Sequence, residues 1–218
     1  MRVLFVYLDF MIGAGGKYYE GLASLSAMLK QDKHQVDLLH ITELLTVDDF
    51  TQRLLREYKD ADVIGFSATT NVFPHVVEYS ESIKKALPNT LVVCGGPHPT
   101  LAPEESIAAP GLDVICLGEG EYSLSELCNR LQIGVDFSDI EGLWVKQNGT
   151  VYRNPRRPFI QNLDDLPLPD RELFTFEGSA DQAMDRLAFM GSRGCPYNCT
   201  HCCNHAFKKA ATEGGGGG

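Results

Sequence analysis

Short apolar runs, almost free of charge, alternate with helix-patterned segments through the first 133 residues, and this alternation constrains the fold more than any other feature. The runs are VLFVYL (3–8), QVDLLHI (35–41), DVIGFSA (62–68), TLVVCGG (90–96) and DVICLGE (113–119). Between them, 18–30 sets Leu22, Leu25, Met28 and Leu29 on one helical face, and 47–58 opens after Thr46, a residue type suited to an N-cap. Segment 74–87 begins at Pro74 and turns Val76, Val77, Ile83 and Leu87 inward, 101–109 is a short helix, and 121–132 carries Leu124, Leu127 and Leu131. Strands buried on both faces read as continuous apolar runs. Five β and five α units in strict alternation therefore predict an α/β fold, a doubly wound five-stranded parallel sheet with helices on both faces.

After residue 135 the pattern changes. GLWVKQNGTVYRN reads as a hairpin around Asn148-Gly149, with Trp144 capping a small satellite cluster. Residues 159–174, proline-bearing and acidic, read as an extended linker, and DRLAFMGS (185–192) as a new strand running into a cysteine-rich loop. A chain of 218 residues has room for one domain and part of a second. The expected division is 1–135, a hairpin and linker over 136–180, and the start of a second domain over 181–218. The terminal glycines carry no fold information.

A formal net charge of −10 argues against nucleic acid as a partner, because phosphate binding needs a basic face. RNPRRP (153–158) is the one basic candidate and reads as a solvated turn. No apolar run approaches the ~18–20 residues that span a bilayer. The N-terminal run is too short for a signal peptide and is broken by Asp9. Cys94, Cys116 and Cys128 sit scattered in apolar segments, a pattern of inert core thiols in a reducing compartment, so the cytoplasm is the expected location.

In an open α/β sheet, ligands bind at the carboxyl ends of the strands. Here those ends read DFMIGAGG (9–16), SATTN (67–71), GGPHPT (95–100) and GEGE (118–121). Gly95, Gly96, Gly118 and Gly120 let the backbone approach a large ligand, Ser67, Thr69, Thr70 and Thr100 offer hydroxyls, and Glu119 stands in the fourth loop. Any one such loop is ordinary strand punctuation; four on one edge indicate a binding site. GAGG does not match G-x-G-x-x-G, so a dinucleotide site is unsupported. Asp9 alone is too little for a phosphoacceptor domain.

The segments ADVIGFSATTN, VVCGGPHPTLAPEE and GLDVICLGEGEYSLSEL resemble the N-terminal cobalamin-binding domain of cobalamin-dependent radical S-adenosylmethionine enzymes, over roughly residues 1–135. The resemblance implies a flavodoxin-like fold with the corrinoid across the strand ends. The cobalt-ligating triplet D-x-H-x-x-G does not occur, so it implies cobalamin with its own base displaced and no histidine on cobalt; His98 is then a polar contact to the corrin side chains.

Cys195, Cys199 and Cys202 have the spacing C-x3-C-x2-C. Three thiolates on a tight loop can hold three irons of a [4Fe–4S] cluster and leave the fourth open. A zinc site completed by His201, Cys203 or His205, or a redox pair of Cys199 and Cys202, are the rival readings. RGCPYNC (193–199) closely resembles the radical S-adenosylmethionine signature, departing from it at His201, where the family usually has an aromatic residue. The resemblance implies reductive cleavage of S-adenosylmethionine and methyl transfer to an unactivated carbon of a small-molecule substrate, with a reductase, flavodoxin or ferredoxin as electron donor. It also implies that most of a β/α barrel lies beyond residue 218 and that residues 1–218 alone are inactive. The competing class is a non-catalytic corrinoid carrier with a zinc- or cluster-binding tail.

Overall fold

The computed structural model describes residues 1–10, 15–197 and 199–213. Residues 11–14 of the first strand-end loop, Asn198 of the cysteine loop and the terminal glycines lie outside the described residues. The five apolar runs form β1 (Arg2–Leu8), β2 (Gln35–Ile41), β3 (Val63–Ser67), β4 (Leu91–Gly95) and β5 (Val114–Cys116). They pair in parallel in the order β2-β1-β3-β4-β5, which is the flavodoxin-like order. Helices α1 (Glu20–Gln31) and α6 (Glu121–Gln132) pack on one face; α2 (Val47–Glu57) and α3 (Phe73–Ala86) pack on the other.

Successive strand residues face opposite sides of a sheet. β1 accordingly sends Val3 and Phe5 toward α1 and α6, and Leu4 and Val6 toward α2 and α3, all four at most 2% exposed. On the α2/α3 side, Phe50 and Tyr79 stack with ring centroids 4.2 Å apart. The Tyr79 hydroxyl donates to the Leu45 carbonyl at 2.8 Å, so its buried polar end is satisfied.

Local signals act as the residue types dictate. Thr46 caps α2, its Oγ1 accepting the Asp49 N–H at 3.1 Å. Asn148 and Gly149 take φ values of 52° and 76°, the left-handed pair a two-residue hairpin turn requires. The helix expected at 101–109 is two, α4 (Pro97–Leu101) and α5 (Pro103–Ala108). The break falls at Ala102, which the ring of Pro103 keeps out of the helical region.

The strands β6 (Leu143–Gln147) and β7 (Thr150–Arg153) extend the sheet. β6 pairs antiparallel with β5, and β7 with β6, giving seven strands in one sheet. The hairpin expected beyond a boundary at 135 is thus continuous with the first domain. Trp144 packs against the main core rather than a satellite cluster, and its Nε1 donates to the Asn154 carbonyl at 3.1 Å.

The segment 159–174, expected as an extended linker, carries two single 3-10 turns (Leu163–Asp165 and Arg171–Leu173) and is strapped to α1. Asp170 accepts from Ser26 Oγ and pairs with Lys30, both at 2.6 Å, and Phe174 is buried at its end. The strand expected at 185–192 is not formed; among the described residues, none between α7 (Ala180–Ala183) and α8 (Asn204–Glu213) is in a helix or strand. A strand needs a neighbour's backbone to pair with. This segment pairs with none of the seven strands, and Leu187, Phe189 and Met190 stay exposed. Among the described residues no helix is long and apolar enough to cross a membrane.

If the hairpin belongs to the sheet, Leu143→Ala, a fully buried position, lowers the stability of the whole domain by about 2–5 kcal/mol in denaturant unfolding. An independent hairpin would leave the main transition where it is.

Candidate functional site

Because β1, β3, β4 and β5 run parallel, the loops that follow them share one edge of the sheet. A cavity of about 430 Å³ opens at that edge and extends down the face that carries α1 and α6. Its floor is Val3, Phe5 and Gly65, its walls are Leu22 and Leu25 of α1 and Leu124 of α6, and residues Met190, Ser192, Arg193 and Gly194 pass over it. The lining is mostly apolar with a few polar groups at the mouth, the usual make-up of a small-molecule site.

Two glycines create the depth. At Gly65, in the middle of β3, a Cβ would lie 3.1 Å from the Phe5 ring, filling the floor. At Gly95 the nearest atom to a Cβ would be Cys116 Cβ at 3.5 Å, so a side chain there would project into open cavity. Gly96 is required for another reason. Its φ is +96°, and a Cβ would meet Ala68 N and Ser67 Oγ at 2.9 Å.

Of the residues singled out from sequence, Ser67, Gly95, Gly96, Gly118, Glu119 and Gly120 line the cavity. Ser67 Oγ lies 3.2 Å from the Tyr19 hydroxyl, which reaches across from the start of α1 and stacks on Tyr7. The structure does not bring Thr69, Thr70, His98 and Thr100 into the lining. Thr69 is exposed and bonds Asn71. Thr100 holds two glycine loops together, donating to the Gly96 carbonyl at 2.8 Å and accepting the Gly118 N–H at 3.0 Å. His98 is 3% exposed on the opposite face, tilted onto Phe73 at 4.0 Å, with Nδ1 3.2 Å from Thr70 Oγ1 and Nε2 3.9 Å from Glu105. Burial pushes its basicity below the ordinary imidazole value.

Of the three polar groups at the mouth, Glu119 was singled out from the sequence, whereas Glu121 and Arg193 were not. Glu119 accepts the Ile160 N–H at 2.6 Å and pairs with Arg193 at 3.0 Å. Glu121, only 4% exposed, accepts from Ser24 Oγ at 2.9 Å and from Arg193 at 2.5 Å. The available signal was GEGE itself, whose buried second glutamate needs a cation. Nothing local marks Arg193, 72 residues away, as that cation. Asp9, beside the first loop, is committed to structure: it accepts from the Gly16 and Lys17 N–H groups and from His40 Nε2 at 2.7–3.1 Å. Burial would raise its pKa, but the bond from His40 and those from the backbone outweigh it and hold the carboxyl below its ordinary value.

The cysteine loop stands apart from this order. Cys195 and Cys202 are half-buried, Cys199 is exposed, and all three are free thiols. The Cys202 N–H closes a turn on the Cys199 carbonyl at 3.1 Å. Among the described residues, no three Cys, His, Asp or Glu side chains are gathered as a metal site. The donor chemistry suits an iron–sulfur cluster; the arrangement does not assemble one. Burial favours the protonated thiols in the core, pushing Cys116 and Cys128 up to about 12.

Residues 18–128 match the family model of the B12-binding domain. An uncharacterized methyltransferase of Pyrococcus horikoshii is 35% identical over 84% of this chain and 39% of its own length. The cobalamin-dependent radical SAM methyltransferase TokK of Streptomyces tokunonensis is 31% identical over 66% of this chain and 22% of its own. The chain thus spans well under half the length of these relatives. Among solved structures, TsrM from Kitasatospora setae, a radical S-adenosylmethionine methyltransferase with cobalamin and a [4Fe-4S] cluster bound, superposes with a TM-score of 0.64 at 19% identity, over 93% of this chain and 42% of that one. The cobalamin-dependent enzyme OxsB, with aqua-cobalamin and S-adenosylmethionine bound, gives 0.63 at 23% identity over 78% and 24%. At these identities the superpositions establish a shared fold.

The burial of His98 has a consequence in acid. The unfolded chain takes up a proton near the ordinary pKa of 6.5, while the folded imidazole resists it to lower pH. Stability conferred by the neutral ring is therefore complete above pH 6.5 and is lost as the pH falls below it. Urea midpoints at pH 7.5 and 5.5 should separate in the wild type and draw together in His98→Gln; an unchanged separation would contradict the burial argument.

Proposed function

Because the chain belongs to the B12-binding domain family, we propose that it binds cobalamin at the carboxyl ends of β1, β3, β4 and β5 and forms the N-terminal part of a radical S-adenosylmethionine methyltransferase. The observation that carries this reading is the cavity that drops from the glycine-lined strand ends to Gly65. A macrocycle too wide to enter it can lie across Gly95, Gly96, Gly118 and Gly120, where the backbone has no side chains to hold it off. A flat aromatic side arm fits below, against Phe5 and Gly65.

Among the described residues, none lining the cavity is a histidine, and His98 is held on the other face by Phe73 and Thr70. The placement of His98 supports a corrinoid that takes no imidazole from this domain. Ser67 and Tyr19 place hydroxyls at the mouth, suited to amide side chains of a corrin ring. Cobalamin, when bound, supplies the methyl-carrying chemistry, and the protein supplies position and exclusion of water. The relatives named as methyltransferases favour methyl transfer to a small-molecule substrate.

Cys195, Cys199 and Cys202 are proposed to hold a [4Fe–4S] cluster that takes electrons from a reductase, flavodoxin or ferredoxin and cleaves S-adenosylmethionine; the support is their spacing and the RGCPYNC signature. The second reading is a non-catalytic corrinoid carrier whose tail binds zinc, for which His201, Cys203 and His205 beside the three cysteines supply further donors.

Anaerobic titration with hydroxocobalamin tests the first half. Saturable binding is expected, with an affinity at least tenfold weaker, or about 1.4 kcal/mol, in Gly95→Val at an unchanged melting temperature. Equal affinity in the two proteins would remove the cavity from the site. After anaerobic reconstitution, matched iron and sulfide contents that fall in Cys199→Ala would support the cluster; zinc without sulfide would favour the carrier.

A further inference from the structure

The segment that passes over the cavity is also the one that leads into the cysteine motif. Met190, Ser192, Arg193 and Gly194 roof the cavity, and Cys195 follows directly. This roof is in no helix or strand and contains Gly191 and Gly194, the latter at φ +83°, with no atom near where a Cβ would be at either. Such positions absorb backbone rotation at low cost.

Arg193 ties the roof itself to the cavity mouth, while Arg171 and Lys208 hold the chain on either side of it, at the Ala188 carbonyl and Phe189 ring and at the Cys195 carbonyl. The Arg193 guanidinium reaches down to the β5–α6 loop, with Nη1 3.0 Å from Glu119 Oε1, Nη2 2.5 Å from Glu121 Oε1 and 3.3 Å from Ser24 Oγ. Both carboxylates line the cavity mouth. Glu121 is buried, and a buried carboxylate left without its cation is strongly destabilised, so the pairing is directional: the roof comes to the glutamates. The planar fork of arginine engages two carboxylates at once, which a lysine does less well. Met190, beside it in the roof, is exposed.

We propose that Arg193 is a positioning residue, a latch that holds the cysteine-bearing segment down as the roof of the cavity and so fixes the cysteine loop over whatever the cavity contains. Access to the cavity then depends on release of this latch. The latch itself stands on geometry alone; its link to a corrinoid rests on the function proposed above.

Cys116 reports on it from inside. Its side chain lines the cavity beneath the roof, whereas Cys94 and Cys128 are fully buried away from it. Alkylation of the ligand-free protein, read cysteine by cysteine by mass spectrometry, should show Cys116 reacting at least fivefold faster in Arg193→Ala than in the wild type. Cys94 and Cys128 should be unchanged, and Arg193→Lys should recover part of the protection. Glu119→Gln, which removes one arm of the fork, should give a smaller rise with the same selectivity, and it decides the matter if Arg193→Ala labels all three thiols alike. A Cys116 rate within twofold of wild type in a folded Arg193→Ala, or no Cys116-selective rise in Glu119→Gln, would overturn the latch. Adding hydroxocobalamin separates the two proposals: it should shield Cys116 in the wild type, and a failure to do so sinks the ligand reading while leaving the latch intact.

Discussion

Parallel pairing of β1, β3, β4 and β5 forces the loops that follow these strands onto a single edge, and the remaining architecture depends on that constraint. A parallel sheet must be covered on both faces, since each strand's apolar residues point both ways. On the α2/α3 face the cover is complete, with Phe50, Tyr79 and Ile83 filling the layer. On the α1/α6 face, Gly65 and Gly95 withhold side chains where the layer would otherwise close. The cavity is the space they leave. Its chemistry follows from position: strand-end backbone at the mouth, apolar floor below, and two carboxylates where α6 begins.

Much of this architecture was legible because it rests on local patterns. The apolar runs gave the five parallel strands, and α6 begins and ends at the residues its periodicity indicated, Glu121 and Gln132. Thr46 and Asn148-Gly149 acted as residue types whose local hydrogen bonding and φ preferences leave few alternatives. The addition of the hairpin to β5 was not legible, because strand neighbourhood is a long-range choice and the hairpin's own pattern fits an edge of any sheet. The segment 185–192 has strand-like composition but no available backbone partner, and composition does not supply one.

The site divided along the same line. Glycines at strand ends declare themselves, and six of the ten proposed contacts line the cavity. His98 and Thr100 could not be assigned to a face because the chain turns through α4 immediately after Gly96, and Thr69 and Thr70 because they lie past the end of β3; in both places the strand period no longer applies. His98 thus finishes against Phe73, on the opposite side of the sheet. Arg193 was invisible for a further reason. Its meaning lies in Glu119 and Glu121, and pairing across so long a stretch of chain leaves no mark in either segment.

The central claim is that a corrinoid occupies the cavity on the α1/α6 face. Amide hydrogen exchange with and without hydroxocobalamin tests it most directly, since it maps contact along the whole backbone. The account expects new protection at residues 65–67, 95–96 and 118–121, with 70–76 on the other face unchanged. Protection centred on Thr70, Phe73 and His98, or binding without protection at Gly65 and Gly95, would contradict it.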